Sequence, residues 1–200
     1  MTQHRNTAER RTLCLLGSPR PSGNSETLAR RFCQRAVDHG APVQQVALSE
    51  LSYGGCRNLF RCKGDLPHCG QKDDLTPVLE SITQSDVLVL ASPVYFTNLT
   101  GQLKSVIDRF FSFLVPDYPN QARKSRLGPG RRLILVQTQG EGEDRYGDLL
   151  ERYATGFRLL GFEHQFLIRA WGVREAGDVV EYPAFLERCD AVAQQIYGQE

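Results

Sequence analysis

At 200 residues, 40% of them hydrophobic, the chain is long enough to close one sizeable core without a second domain. Its 24 Lys and Arg against 23 Asp and Glu leave a formal charge of +1, which excludes a general attraction to nucleic acid or to an anionic membrane. No apolar run approaches the roughly 20 residues of a membrane span, and the polar residues 1–11 lack the apolar stretch of a signal peptide.

Residues 1–11 are expected to form a flexible N-terminal segment, residues 12–200 a single domain, and the compartment is expected to be the cytoplasm. The first predicted strand covers 12–16. It runs into Gly17-Ser18-Pro19-Arg20-Pro21-Ser22-Gly23-Asn24-Ser25-Glu26-Thr27, after which Leu28, Phe32 and Ala36 recur at helical spacing and predict a helix over 24–38. The loop therefore ends at a helix N-terminus, where free N–H groups and the positive dipole end favour an anion. Ser18, Arg20, Ser22, Asn24, Ser25 and Thr27 add hydroxyl, amide and guanidinium donors. The loop has neither G-x-G-x-x-G spacing nor a Gly-Lys-Ser/Thr ending, so its pattern suits one terminal phosphate, as in a mononucleotide such as FMN. The plainer alternative is a connection whose Ser and Asn residues only cap the helix.

A second strand is predicted over 43–48, a helix over 75–84 and a third strand over 87–91. The third strand leads into Ser92-Pro93-Val94-Tyr95-Phe96-Thr97-Asn98, a proline turn with two adjacent aromatics. Tyr95 or Phe96 could cover a flat ring while backbone groups from Pro93 to Asn98 bond its polar edge; the same aromatics could equally be core residues. After a helix over 101–114 comes a fourth strand over 133–137. It ends in Gln137-Thr138-Gln139-Gly140-Glu141-Gly142, where Gly140 and Gly142 would let the backbone approach a planar ligand and Thr138 or Gln139 could bond its rim; the glycines could equally serve the turn's conformation alone. A helix over 147–160, a strand over 166–171 and a helix over 183–197 complete the pattern. Alternating strands and helices of these lengths read as an α/β fold: a flavodoxin-like, doubly wound, five-stranded parallel sheet of order 2-1-3-4-5 with helices on both faces. Ligands of such sheets bind beyond the carboxyl ends of strands 1 and 3.

Six cysteines in a cytosolic chain are expected as reduced thiols. Cys14, Cys33 and Cys189 fall at strand or helix positions and suit small buried apolar residues. The basic runs Arg57, Arg61, Lys63, Lys72 and Arg123, Lys124, Arg126, Arg131, Arg132 could attract an anionic substrate or merely be solvated. The apolar stretch 110–118 could face a partner subunit, a bound ring or the chain's own core.

Two stretches together resemble the flavodoxin-like NAD(P)H-dependent FMN oxidoreductases, including their iron–sulfur flavoprotein branch. They are Gly17-Ser18-Pro19-Arg20 with Gly23-Asn24-Ser25, and Ser92-Pro93-Val94-Tyr95-Phe96 with Gly101-Gln102-Leu103-Lys104 and Asp108-Arg109. The resemblance implies that Ser18, Arg20, Asn24, Ser25 and Thr27 hold the ribityl phosphate and that Pro93, Val94, Tyr95, Phe96, Thr97 and Asn98 hold the isoalloxazine. It further implies NADPH or NADH as co-substrate, a small-molecule electron acceptor such as a quinone or flavin, and a homodimer or homotetramer. The flavin then carries the chemistry and no catalytic side chain is required; His4, His39, His68 and His164 are scattered. A non-enzymatic FMN electron carrier is the alternative. The iron–sulfur branch has a compact C-x-x-C-x-x-C run followed by a further Cys, whereas Leu59 stands at the middle position here, leaving Cys56, Cys62 and Cys69. Three thiols leave a cubane one ligand short, and with His68 they could equally suit zinc. The segment is read as metal-free, with Cys56, Cys62 and Cys69 as the candidate ligands should a metal bind.

Overall fold

The computed structural model describes residues 10–198; the expected flexible segment lies, through residue 9, outside the described residues. Arg10 donates through Nη1 to Ile196 O, and the Arg11 amide donates to Asp86 Oδ2 at 2.9 Å. The elements in chain order are β1 (Thr12–Leu16), α1 (Asn24–Asp38), β2 (Val43–Ala47), α2 (Leu75–Gln84), β3 (Val87–Tyr95), β4 (Asn98–Leu99), α3 (Gly101–Arg109), β5 (Arg131–Thr138), α4 (Leu149–Leu159), β6 (Phe162–Ala170) and α5 (Pro183–Tyr197). The sheet order is β2-β1-β3-β5-β6, all parallel, with the short β4 antiparallel to β3. Apart from β4, this is the expected doubly wound order. Among the described residues no helix is long and apolar enough to cross a membrane.

Strand alternation divides the core into two. Cys14, Leu16, Val89 and Ala91 face α1 and α5, where Leu28, Phe32, Val192 and Ile196 meet them. Leu13, Leu15, Leu88 and Leu90 face the opposite layer, against Leu79 and Ile82 of α2, Leu103 and Val106 of α3 and Phe157 of α4. Each fully buried Leu or Ile contributes about 1.5–3 kcal/mol of transfer free energy, so β1 and β3 are anchored by packing on both faces up to their carboxyl ends. Cys14, Cys33 and Cys189 are buried in the α1–α5 layer, as expected for small apolar residues.

Several boundaries differ from the sequence pattern, among them the start of β5, at Arg131 rather than at 133. β3 runs four residues further, to Tyr95, because β4 pairs with its end. β6 begins at Phe162 rather than at 166; it is an edge strand, so Glu163 and His164 are exposed and interrupt the apolar pattern. The regular part of α3 stops at Arg109 and tightens into a 3₁₀ turn over Phe110–Phe113 that turns Phe110 and Phe113 into the core. The apolar stretch 110–118 is thus in large part chain-internal: Phe110 packs on Phe157 at 6.4 Å and Phe111 on Tyr118 at 6.4 Å between ring centroids. Finally, α4 begins at Leu149 rather than at 147.

An ion-pair cluster ties α1 to α5. Asp190 accepts from Arg31 Nε at 2.8 Å and Nη2 at 2.7 Å, and from Arg35 Nε at 2.9 Å. The Arg31 bonds, and then those of Arg35, hold the Asp190 carboxyl at about 2 against the upward pull of burial. The unfolded value is about 3.9, so the folded state binds this proton more weakly. The stabilisation is complete above the unfolded value and is lost as pH falls through the folded one. Urea unfolding between pH about 4 and about 2 should therefore decline more steeply for the native chain than for Asp190→Asn; equal slopes would remove Asp190 from the acid transition.

Candidate functional site

The chain leaves β1 toward β2 and returns on the other side as β3, so the sheet order reverses between β1 and β3, where α/β sheets bind ligands. The two loops at this point are bonded to each other. Gly17 N donates to Ala91 O at 2.8 Å, and Thr100 Oγ1 donates to Gly17 O at 2.7 Å while accepting from Leu103 N to cap α3. Thr100 N donates to Ser92 Oγ at 3.0 Å. A Cβ at position 17 would lie 2.8 Å from Ala91 O and 2.8 Å from Leu103 Cβ, which is why the strand can end there only in glycine.

A cavity of about 420 Å³ opens beyond these loops. From the first loop Ser18, Arg20, Asn24 and Ser25 line it, with Ser18, Asn24 and Ser25 buried. Ser18 Oγ donates to Arg20 O at 3.0 Å and accepts from Arg20 N at 3.1 Å, closing the turn on itself. Pro93, Val94 and Tyr95 form the second wall, and Thr138, Gln139 and Gly140 the third.

The remaining expected residues stand elsewhere. Thr27 does not line the cavity; its hydroxyl donates to Gly23 O at 3.2 Å inside the first turn of α1. Phe96 and Thr97 form the tip of the β3–β4 hairpin at φ 43° and 71°, and Phe96 is fully exposed. Both turn residues at positive φ is the geometry of a tight two-residue hairpin, costly for a bulky and a β-branched residue. Asn98 lies behind the hairpin, where its Oδ1 accepts from Leu99 N and from the Tyr153 hydroxyl at 2.7 Å. Of the two aromatics, Tyr95 is therefore the one beside the cavity. Gln139 lines it with its side chain already committed: Nε2 donates to Gly142 O at 2.7 Å and Arg145 O at 2.8 Å, and Oε1 accepts from Gln137. It shapes the 140–146 loop rather than offering a free amide.

A fourth wall, Val173, Arg174 and Glu175 from the segment after β6, had no motif to announce it. The signal was positional: β6 lies beside β5, so its carboxyl-end loop reaches the same rim.

The cysteine segment lies along α3. Cys56, Cys62 and Cys69 border one small hollow with Phe60 and Phe111, while the exposed His68 lines a different cavity. The Cys69 Sγ accepts from Arg109 Nε at 3.0 Å. Among the described residues no group of three or more His, Cys, Asp or Glu is placed to hold a metal ion. Arg109, 1% exposed, is the anchor here: it also donates to Gly54 O, Gln71 O and both Asp73 oxygens. Against the upward pull of burial, these bonds keep the Asp73 carboxyl below its usual range. Several of the basic residues likewise satisfy backbone carbonyls. Lys63 donates to Phe111 O and Leu114 O, Arg126 to Ser112 O and Cys62 O, and Arg131 to Ile82 O and Thr83 O at the end of α2.

The family model described as NADPH-dependent FMN reductase matches residues 10–138. An iron–sulfur flavoprotein of Archaeoglobus fulgidus is 34% identical over 170 residues, covering 84% of this chain and 66% of the relative. The chain spans about half the length of further iron–sulfur flavoproteins that it matches. Two solved structures share the fold: an FMN-dependent NADH-azoreductase of Bacillus anthracis, with a TM-score of 0.68 at 17% identity over 94% of this chain and 100% of the other, and an NAD(P)H:quinone oxidoreductase of Methanothermobacter marburgensis, with 0.69 at 15% over 96% and 98%.

Proposed function

Because the chain belongs to the NADPH-dependent FMN reductase family, we propose that it is an FMN-dependent oxidoreductase passing a hydride from NADPH or NADH to a small acceptor such as a quinone or a flavin. The observation that carries this reading is the meeting of a hydroxyl-rich helix N-terminus with the β3 hairpin around one cavity at the switch point.

The residues fit the cofactor. Ser18, Ser25 and Arg20, with the first amides of α1, would take the phosphate, and the close approach at Gly17 fixes where that cradle begins. Pro93, Val94, Tyr95, Thr138 and Gly140 would take the ring. FMN, when bound, supplies hydride acceptance from a reduced nicotinamide and delivery to a second substrate. The protein's part is to orient and to exclude water: the half-exposed Tyr95 lines the cavity, and Gln139 stiffens the 140–146 loop. Nicotinamide and acceptor would use the same opening in turn, which gives a ping-pong cycle. Self-association as a homodimer or homotetramer is part of the proposal, with Leu59, Phe60 and Phe96 as the exposed apolar side chains it would cover. Six free thiols fit a reducing cytoplasm.

A cubane cluster does not fit this chain's donors. It takes four thiolates, whereas the loop offers three, one of them held by Arg109, and the other three cysteines are buried in the α1–α5 layer.

Anaerobic titration of the purified flavoprotein with NADH and NADPH should bleach the flavin bands. A bound flavin that neither nucleotide reduces would overturn the enzyme reading in favour of the carrier. Iron and acid-labile sulfide should stay at background after anaerobic reconstitution; stoichiometric uptake would overturn the metal-free loop.

A further inference from the structure

Asn24 belongs to the loop expected to bind phosphate, yet both ends of its buried amide are committed to the segment after β6. Its Nδ2 donates to Glu175 O at 2.8 Å, and its Oδ1 accepts from Gly177 N and Val179 N, each at 3.2 Å. Arg20 adds a fourth bond, from Nη1 to Arg174 O at 3.0 Å. Inside the segment, Asp178 Oδ2 accepts from Arg174 N at 2.7 Å and Glu175 N at 2.8 Å. The segment is thus a closed turn latched onto the first turn of α1.

The latch determines where Arg174 points. Its Nε donates to Gly140 O at 3.1 Å, and a Cβ at position 140 would meet Arg174 Cγ at 2.9 Å, so the side chain lies flat across the backbone of the third wall. Among the described residues its two Nη atoms have no protein partner, and neither Arg174 nor Arg20 is in an ion pair. Glu141 and Glu175, both exposed, are the carboxylates on the same cavity. Both guanidinium groups line the same cavity, and their planar forks match phosphate oxygens. A phosphomonoester carries close to two negative charges at neutral pH.

Resting on the FMN-site reading above, we propose that Arg174 is a second cationic ligand for a phosphomonoester and that Asn24 is the positioning residue that delivers it. The site then discriminates phosphorylated from unphosphorylated ligand through a wall that the phosphate loop itself holds in place. Two ligands of the reaction carry this group: FMN, which riboflavin lacks, and NADPH, which NADH lacks.

The test titrates wild type, Arg174→Ala, Arg174→Lys and Asn24→Ala with FMN and riboflavin, and measures KM for NADPH and NADH. Arg174→Ala should weaken FMN about tenfold relative to riboflavin, Arg174→Lys should recover part of that, and Asn24→Ala should shift in the same direction. A change in the NADPH to NADH ratio instead would support the same ligand chemistry with the nicotinamide as its source. Arg174 is exposed, so its variants report even where Asn24→Ala fails to fold. Flat ratios on both axes, in variants that bind FMN, would overturn this proposal alone. A wild type that binds neither flavin would overturn the site reading with it.

Discussion

Arg109→Ala should lower the free energy of unfolding by about 3–5 kcal/mol, the usual cost of removing one partner from a buried ion pair. The guanidinium is fully enclosed, and its bonds reach Gly54, Cys69, Gln71 and Asp73 on a segment with no regular helix or strand of its own beyond short turns. Truncation would strand two carbonyl oxygens and a carboxylate that is itself mostly buried. Arg109→Lys keeps the charge but cannot span the same acceptors, so it should fall between alanine and wild type. Urea unfolding of the three proteins, with limited proteolysis of residues 52–73, checks this. An alanine variant with an unchanged midpoint would show that the segment is held by its other contacts.

Gly17→Ala should have the largest effect on cofactor binding. The added methyl meets a backbone carbonyl of β3 and the Cβ of Leu103, neither of which is the movable end of a flexible side chain. Overpacking of this kind costs about 1–3 kcal/mol, and relief would come from displacing the loop that starts there. The bonds from Gly17 N to Ala91 O and from Thr100 to Gly17 O would be strained together. FMN affinity should fall at least about tenfold, equivalent to about 1.4 kcal/mol, read by quenching of flavin fluorescence. Wild-type affinity with a lowered melting temperature would separate the packing at Gly17 from the geometry of the cradle.

Much of this was legible in the sequence, for identifiable reasons. Buried parallel strands such as Val87 to Leu90 are continuous apolar runs, and helices with one buried face show their spacing, so the sheet order followed from alternation. Ser18 and Ser25 could be placed because a strand-to-helix turn at a switch point has one geometry. The β3–β4 hairpin was hidden because Phe96-Thr97 is a poor sequence for a tight turn: neither residue favours positive φ. Arg174 was hidden because its contribution depends on which strands are neighbours. Asn24 and Gln139 were found as polar residues near the cavity, but a sequence cannot show that their amides already hold other loops.

The hairpin tip has an evolutionary consequence. The β1–α1 loop that lines the cavity is tied into the fold through Gly17, Thr100 and Asn24, so most substitutions there cost stability. Phe96 makes no core contact and stands fully in solvent at the end of a two-rung ladder. Drift at positions 96 and 97 is nearly free of folding cost, and relaxing their positive φ can even add stability. A lineage of such chains can therefore vary the hairpin tip freely while the ties through Gly17, Thr100 and Asn24 stay unchanged.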